Sequence, residues 1–235
     1  MLPGGTFLGY GLRVLYQPCY VIKSMKYRHI IFDFDGVLVE SNEIKFNGFR
    51  KLFKNFPEDK VELLVAYARA NGGVSRYEKI KFFFNEICKE PVSEEMVGQW
   101  ASQFSALVEQ DVVEAEPVKG SLEFLKEYYN KFDFAIVSGS DQAELRRVCK
   151  KRKIDHFFRV ILGSPVNKED NIRKLFVDLD WCANDAFYLG DSKNDLDAAK
   201  ANNLDFVGRC SGLVNWENTD VPNILDMFSL PTILS

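Results

Sequence analysis

The 235-residue chain has no excess of basic residues, no uninterrupted apolar run of membrane-spanning length and no cysteine pair at metal-ligand spacing. It also has no internal repeat and no low-complexity tract. Thirty basic and 34 acidic residues give a formal charge of −4. Without a basic excess the expected partner is a small molecule rather than nucleic acid. Cys19, Cys88, Cys149, Cys182 and Cys210 are odd in number and far apart. That spacing argues against a disulfide framework or a structural zinc site, and the cysteines read as buried thiols in a reducing compartment. A cytoplasmic monomer or weak homo-oligomer is expected. In residues 1–24 the apolar stretches are broken by Arg13 and Gln17, too short for a membrane span, and there is neither a basic n-region nor a clear cleavage site. Rich in glycine up to Gly11, this segment reads as an upstream extension outside the fold, which would start at Met25.

What is present is an ordinary globular composition, 46% hydrophobic and 27% charged, enough for one large domain with an inserted second unit. Short β-rich runs at 29–34, 132–137, 160–162, 186–189 and 205–207 alternate with helical patterns at 119–130, 141–152, 168–179 and 193–202. That alternation predicts an α/β fold, a parallel sheet covered on both faces. The stretch from about 42 to 112 breaks it. Val61, Leu64, Val65 and Ala68 share one helical face, as do Ile80, Phe83, Phe84 and Ile87, and then Val97, Trp100, Phe104 and Leu107. A helical insertion is therefore expected at 42–114, with 25–41 and 115–235 forming the core and crossings near 40 and 115 acting as a hinge. The Phe82 to Phe84 run is read as core packing rather than an aromatic binding platform.

Four predicted strand ends carry chemistry. Asp33 and Asp35 lie two residues apart at the end of the first, just before Gly36. Ala-Ile-Val-Ser-Gly-Ser (135–140) brings the Ser138 hydroxyl and free N–H groups of Gly139 and Ser140 to the same sheet edge, a cradle for an oxyanion, although Ser138 alone would serve as a helix N-cap. Lys168 heads a helix, where its charge opposes the helix dipole, so something other than helix stability is expected to hold it there. Asp191 ends the fourth strand, with Asp195 one turn later; Asp191 or Ser192 would also serve as a cap, and Asp195 would satisfy the dipole.

The order D-x-D-G-V-L at 33–38, V-S-G-S at 137–140, Lys168 and G-D-S-x-x-D at 190–195 resembles the four motifs of the haloacid dehalogenase superfamily over about residues 30–210. The insertion resembles the C1 cap of its phosphoglycolate phosphatase and β-phosphoglucomutase branch. The resemblance implies a Rossmann-like core, Asp33 as a nucleophile that becomes an aspartyl phosphate, and Asp35 as general acid and base. It also implies Mg²⁺ held by Asp33, the Asp35 carbonyl and Asp191, with Ser138 and Lys168 on the phosphoryl oxygens. Asp195 would orient Lys168 or a metal-bound water. Asp35 itself favours phosphate esters, since dehalogenating and phosphonate-cleaving relatives lack a second Asp.

Asn71-Gly72-Gly73-Val74-Ser75-Arg76 resembles the specificity loop of β-phosphoglucomutases, implying that Arg76 grips a distal phosphate or carboxylate. Against a mutase stand Lys45, where many members of the branch have His, the sequence Ser-Gly-Ser-Asp-Gln (138–142), and Gly190 in place of an acid. Lys45 is counted with Gly139, Ser140 and Arg76 among the substrate contacts. The expectation is a phosphatase acting on a small phosphorylated metabolite, a sugar phosphate. The alternatives are a sugar phosphate mutase and a non-catalytic ligand-binding protein, the latter hard to reconcile with a nucleophile and its acid together.

Overall fold

The computed structural model describes residues 26–217 and 219–234, so the expected extension at 1–24 lies outside them. The central strand β1 (His29–Phe32) is buried along its whole length, because it has a strand on either side and helices over both faces. Ile30 and Phe32 point into one apolar layer with Phe34, Phe124 and Phe134. Ile31 points into the opposite layer with Val137, Leu175 and Tyr188, as the two-residue period of a strand requires.

The other strands are β2 (Asp133–Asp141), β3 (Phe158–Ser164), β4 (Ala186–Gly190), β5 (Asp205–Arg209) and β6 (Asn223–Ile224). All pair in parallel, in the order β3-β2-β1-β4-β5-β6. The chain reverses its direction of travel across the sheet between β1 and β4, and an open α/β sheet binds ligands at the carboxyl ends of such neighbours. β2 runs four residues beyond the expected end, through the Ser-Gly-Ser-Asp segment, with a register shift against β3. β6 is too short to give a sequence signal.

Between β1 and β2 come α1 (Asn42–Leu52), α2 (Glu58–Ala70), α3 (Arg76–Phe82), which runs into a π-helical turn (Phe83–Cys88), and α4 (Glu94–Glu114). Ser75 and Ser93 cap α3 and α4, accepting from the N–H groups of Glu78 and Met96. Phe83 and Phe84 are buried against Phe53, Phe56 and Trp100 and are core, whereas Phe82 is half-buried and stacks on Tyr67. The buried face of α4 is Val97, Ala101, Phe104, Val108 and Val112, and Leu107 is exposed. The true 3.6-residue period reaches Val108 where a short pattern had ended on Leu107. The two crossings pair with each other: Glu40 N–H donates to Glu116 O (2.9 Å) and Val118 N–H to Leu38 O (3.0 Å).

The core continues with α5 (Ser121–Tyr128), α6 (Gln142–Lys151), α7 (Lys168–Leu179), α8 (Lys193–Ala201) and α9 (Leu230–Leu234). Of the described cysteines only Cys149 is buried, while Cys182 is exposed. The expectation of uniformly buried thiols therefore fails, because Cys182 falls in the turn between α7 and β4 rather than in a packed element. No helix among the described residues is long and apolar enough to cross a membrane.

Candidate active site

The carboxyl ends of β1, β2 and β4 converge with the start of α7 on one buried group of charges. Asp33, the first residue after β1, is 2% exposed and accepts a hydrogen bond from Lys168 Nζ (2.9 Å). Lys168 also donates to Asp195 Oδ1 (2.5 Å). Burial raises the Asp33 carboxyl above the usual carboxylate range, opposed by the Lys168 ammonium and reinforced by Asp195, Asp191 and Asp35. Burial also works against the charge on Lys168, but Asp195 and Asp33 outweigh it and hold the ammonium above the ordinary lysine range.

Asp195 does two jobs. Its Oδ2 closes a capping box with Ser192 at the head of α8, while Oδ1 receives Lys168 and the Tyr188 hydroxyl (2.7 Å). The helix-cap reading and the lysine-orienting reading are therefore both true of this residue, and the cap of α8 is Ser192 rather than Asp191. Ser138 does not cap α6, a role taken by Asp141. Its hydroxyl instead accepts the Ser140 N–H (3.2 Å) and lines the cavity.

Asp35 is held from two sides, by the hydroxyls of Ser41 (2.5 Å) and Ser140 (2.5 Å), with Lys45 Nζ at 3.8 Å. Asp33, Asp191 and Asp195 present carboxylate oxygens within 4.8 Å of one another. Hard oxygen donors at this spacing fit Mg²⁺. Both Asp195 oxygens are engaged by protein donors, and Asp33 accepts the Phe34 N–H at Oδ1 (2.7 Å) besides Lys168 at Oδ2. Asn42 donates to Asp191 Oδ2 (2.8 Å). Burial, then Asp195, pushes the Asp191 carboxyl up to about 6, a repulsion that a bound cation relieves. Gly36 explains the glycine after Asp-x-Asp: it has φ 72°, and a Cβ there would lie 2.0 Å from Asp191 Oδ2.

A cavity opens over these groups and is walled on its far side by the helical segment. The glycine loop reaches into it as expected. Gly73 has φ 75°; a Cβ there would meet Ser192 Oγ at 2.4 Å and Lys168 Nζ at 3.0 Å, and a Cβ on Gly139 would meet the Gly73 carbonyl at 2.2 Å. Arg76 and Lys45 also line the cavity, but both reach one buried carboxylate on α6. Glu144 accepts from Lys45 Nζ (2.7 Å) and from Arg76 Nη1, which donates also to Ser105 (2.6 Å). Burial opposes the charge on Glu144, yet Lys45 and Arg76 hold its carboxyl well below the usual range.

Glu144, Asn42, Ser41 and Lys79 were not anticipated as part of the site. Lys79 lies three residues after Arg76 on one helix face, a signal present in the sequence, but nothing local says that the face looks inward. The remaining wall is apolar, including Phe46, Phe49 and Phe104.

A search of curated proteins finds no match. Among solved structures, a predicted phosphatase from Clostridium acetobutylicum superimposes with a TM-score of 0.72 at 20% identity, covering 88% of this chain and 98% of that one. CbbY from Rhodobacter sphaeroides in complex with phosphate gives 0.67 at 19% identity over 85% and 94% of the two chains. The HAD-hydrolase YfnB from Bacillus subtilis bound to magnesium gives 0.65 at 18% identity over 89% and 99%. At these identities the likeness is one of fold. The family model for haloacid dehalogenase-like hydrolases, by contrast, matches residues 30–209, a span that begins in β1 and ends in β5 and takes in all four charged strand ends. The chain belongs to the haloacid dehalogenase-like hydrolase family.

Proposed function

We propose that this hydrolase is a Mg²⁺-dependent phosphatase that cleaves a small phosphorylated metabolite, a sugar phosphate, through an aspartyl phosphate on Asp33. The observation that carries this reading is the buried contact of Asp33 with Lys168, two residues from an Asp35 held by two hydroxyls, at the floor of one cavity. Phosphate bound to CbbY and magnesium bound to YfnB support it.

The Asp33 carboxylate attacks phosphorus and the leaving alkoxide departs with a proton from Asp35. Asp35 then takes a proton from the water that attacks the phosphoenzyme, restoring Asp33 and releasing inorganic phosphate. Lys168 and the Ser138 hydroxyl, with the amide of Gly139, offset charge on the phosphoryl oxygens. Asp33, the Asp35 carbonyl and Asp191 would hold Mg²⁺, which when bound neutralises the charge that otherwise repels a carboxylate from a phosphate dianion. Asp195 keeps Lys168 in position. Residues 42–114 act as the cap over a core of 25–41 and 115–235, and the paired crossings serve as its hinge.

The reading is tested by incubating the protein and Mg²⁺ with sugar phosphates, including β-glucose 1-phosphate, with and without a bisphosphate primer. Inorganic phosphate should match substrate consumed. Primer-dependent isomerisation with little free phosphate would establish a mutase instead.

A further inference from the structure

Three cationic side chains line the cavity: Lys45, Arg76 and Lys79. Two are already answered. Lys45 bonds Glu144 and Ser140 and lies 3.8 Å from Asp35. Arg76 pairs with Glu144, bonds Ser105 and lies over the Phe104 ring at 4.7 Å. Lys79 differs. It is 7% exposed, and its ammonium makes no hydrogen bond or ion pair with any described residue. An ammonium has three donors and no acceptor. Withdrawn from water without a partner it is costly, and proteins retain such a group where something arrives to meet it.

We infer that Lys79, rather than Arg76, receives a second anionic group of the substrate, a carboxylate or a further phosphate. The inference rests on the phosphatase reading above and narrows its substrate to an ester carrying two anionic groups. Three observations agree. First, Glu144 and Asp35 answer Lys45 and Arg76, so among the three cations that line the cavity Lys79 is the one left without a carboxylate. Second, Phe46, Phe49, Phe104 and Val74 supply much of the surrounding wall, and apolar walls strengthen a charge contact while offering nothing to a row of hydroxyls. Third, burial, followed by the Lys168 charge, lowers Lys79 to about 7, with Asp35 opposing. An anion beside the amine reverses that shift and gains the full charge-assisted contact. Lys79 sits one turn after Arg76 on α3, so the Gly72–Gly73 loop that lies against the phosphoryl site also sets the position of Lys79.

The test uses the full chain with Mg²⁺ and three esters: a short phosphorylated carboxylic acid, a sugar bisphosphate, and p-nitrophenyl phosphate, which has no second charged group. Wild type should favour one of the first two, and which one it favours separates a carboxylate from a phosphate. Lys79→Met should lower kcat/KM for that ester relative to p-nitrophenyl phosphate by about 10–100-fold, chiefly through KM, the effect of losing one charged hydrogen bond. Lys79→Arg should recover part of the ratio, and Arg76→Lys should shift it less than Lys79→Met does. Because Lys79→Met also removes an unpaired buried charge, the free protein should melt about 2–4 °C higher.

A ratio unchanged in Lys79→Met, a larger loss in Arg76→Lys, or a wild-type preference for p-nitrophenyl phosphate over both two-anion esters overturns the inference while leaving the phosphatase reading intact. Turnover of none of the three overturns the phosphatase reading, and the inference with it.

Discussion

Asp33 carries a charge that its surroundings only half support. It is buried, Lys168 is its one cationic contact, and three further carboxylates bear on it. As the proposed nucleophile it gains reactivity because water does not solvate it and because the neighbouring ammonium fixes its direction. Asp33→Asn keeps the shape and removes the nucleophile, so turnover should fall by at least about 10³-fold with the fold intact by circular dichroism. Asp35→Asn removes the proposed proton carrier while leaving the proposed nucleophile. It should slow hydrolysis by about 10²–10⁴-fold and let phosphorylated protein accumulate, visible as a mass increase after acid quench.

At the scale of elements, the fit between helical segment and core is decided at two places. The first is the approach of Gly73 to Gly139. Gly139→Ala would drive a methyl group into the Gly73 carbonyl, 2.2 Å from the ideal Cβ. The loop must withdraw, so KM should rise while the purified protein keeps its secondary structure. The second is the Lys45–Glu144–Arg76 cluster, which joins α1 and α3 to α6. Glu144→Gln leaves two cations without their shared carboxylate and should cost about 3–5 kcal/mol, the range for breaking a buried pair. The sign of its pH dependence follows from the depressed carboxyl. The folded state binds fewer protons here than the unfolded chain does, so the contribution is fully present above the unfolded value of 4.5 and is lost as pH falls below it. Acid denaturation of Glu144→Gln should accordingly show a shallower pH dependence than wild type in a stability titration.

For the whole molecule, the cost of gathering carboxylates at one sheet edge appears as a coupling between metal and stability. Asp191 is held up to about 6 in the folded protein against 3.8 in the free side chain. The metal-free fold therefore binds the extra proton, and stability falls as pH rises from 3.8 through 6, the penalty being complete above that. Mg²⁺ should reverse it. At pH 7.5 a hundredfold excess over Kd should raise Tm by roughly 5–10 °C, and by less at pH 5. Asp191→Asn should melt higher than wild type without metal and lose the response. Differential scanning fluorimetry across pH and Mg²⁺ checks all three outcomes.

The sequence by itself determined the sheet, the helical insertion and the identities of the charged strand ends. These are local matters: apolar runs, helical periods, and acids or hydroxyls at the point where a strand stops. Asp33, Asp35, Ser138, Lys168 and Asp191 were legible because each lies at or just beyond the end of an apolar run that reads as a strand, and parallel strands bring their carboxyl ends to one edge whatever their separation in the chain. The tertiary structure alone decided how the charges pair. Arg76 and Lys45 both answer to Glu144, which is 68 residues from one and 99 from the other. Lys79 stays unpaired because α3 turns that face inward, and Asp195 unites a helix cap with a lysine contact. Pairing depends on distances of a few ångströms between elements, and no pattern along the chain encodes which buried cation finds a carboxylate and which is left for a ligand.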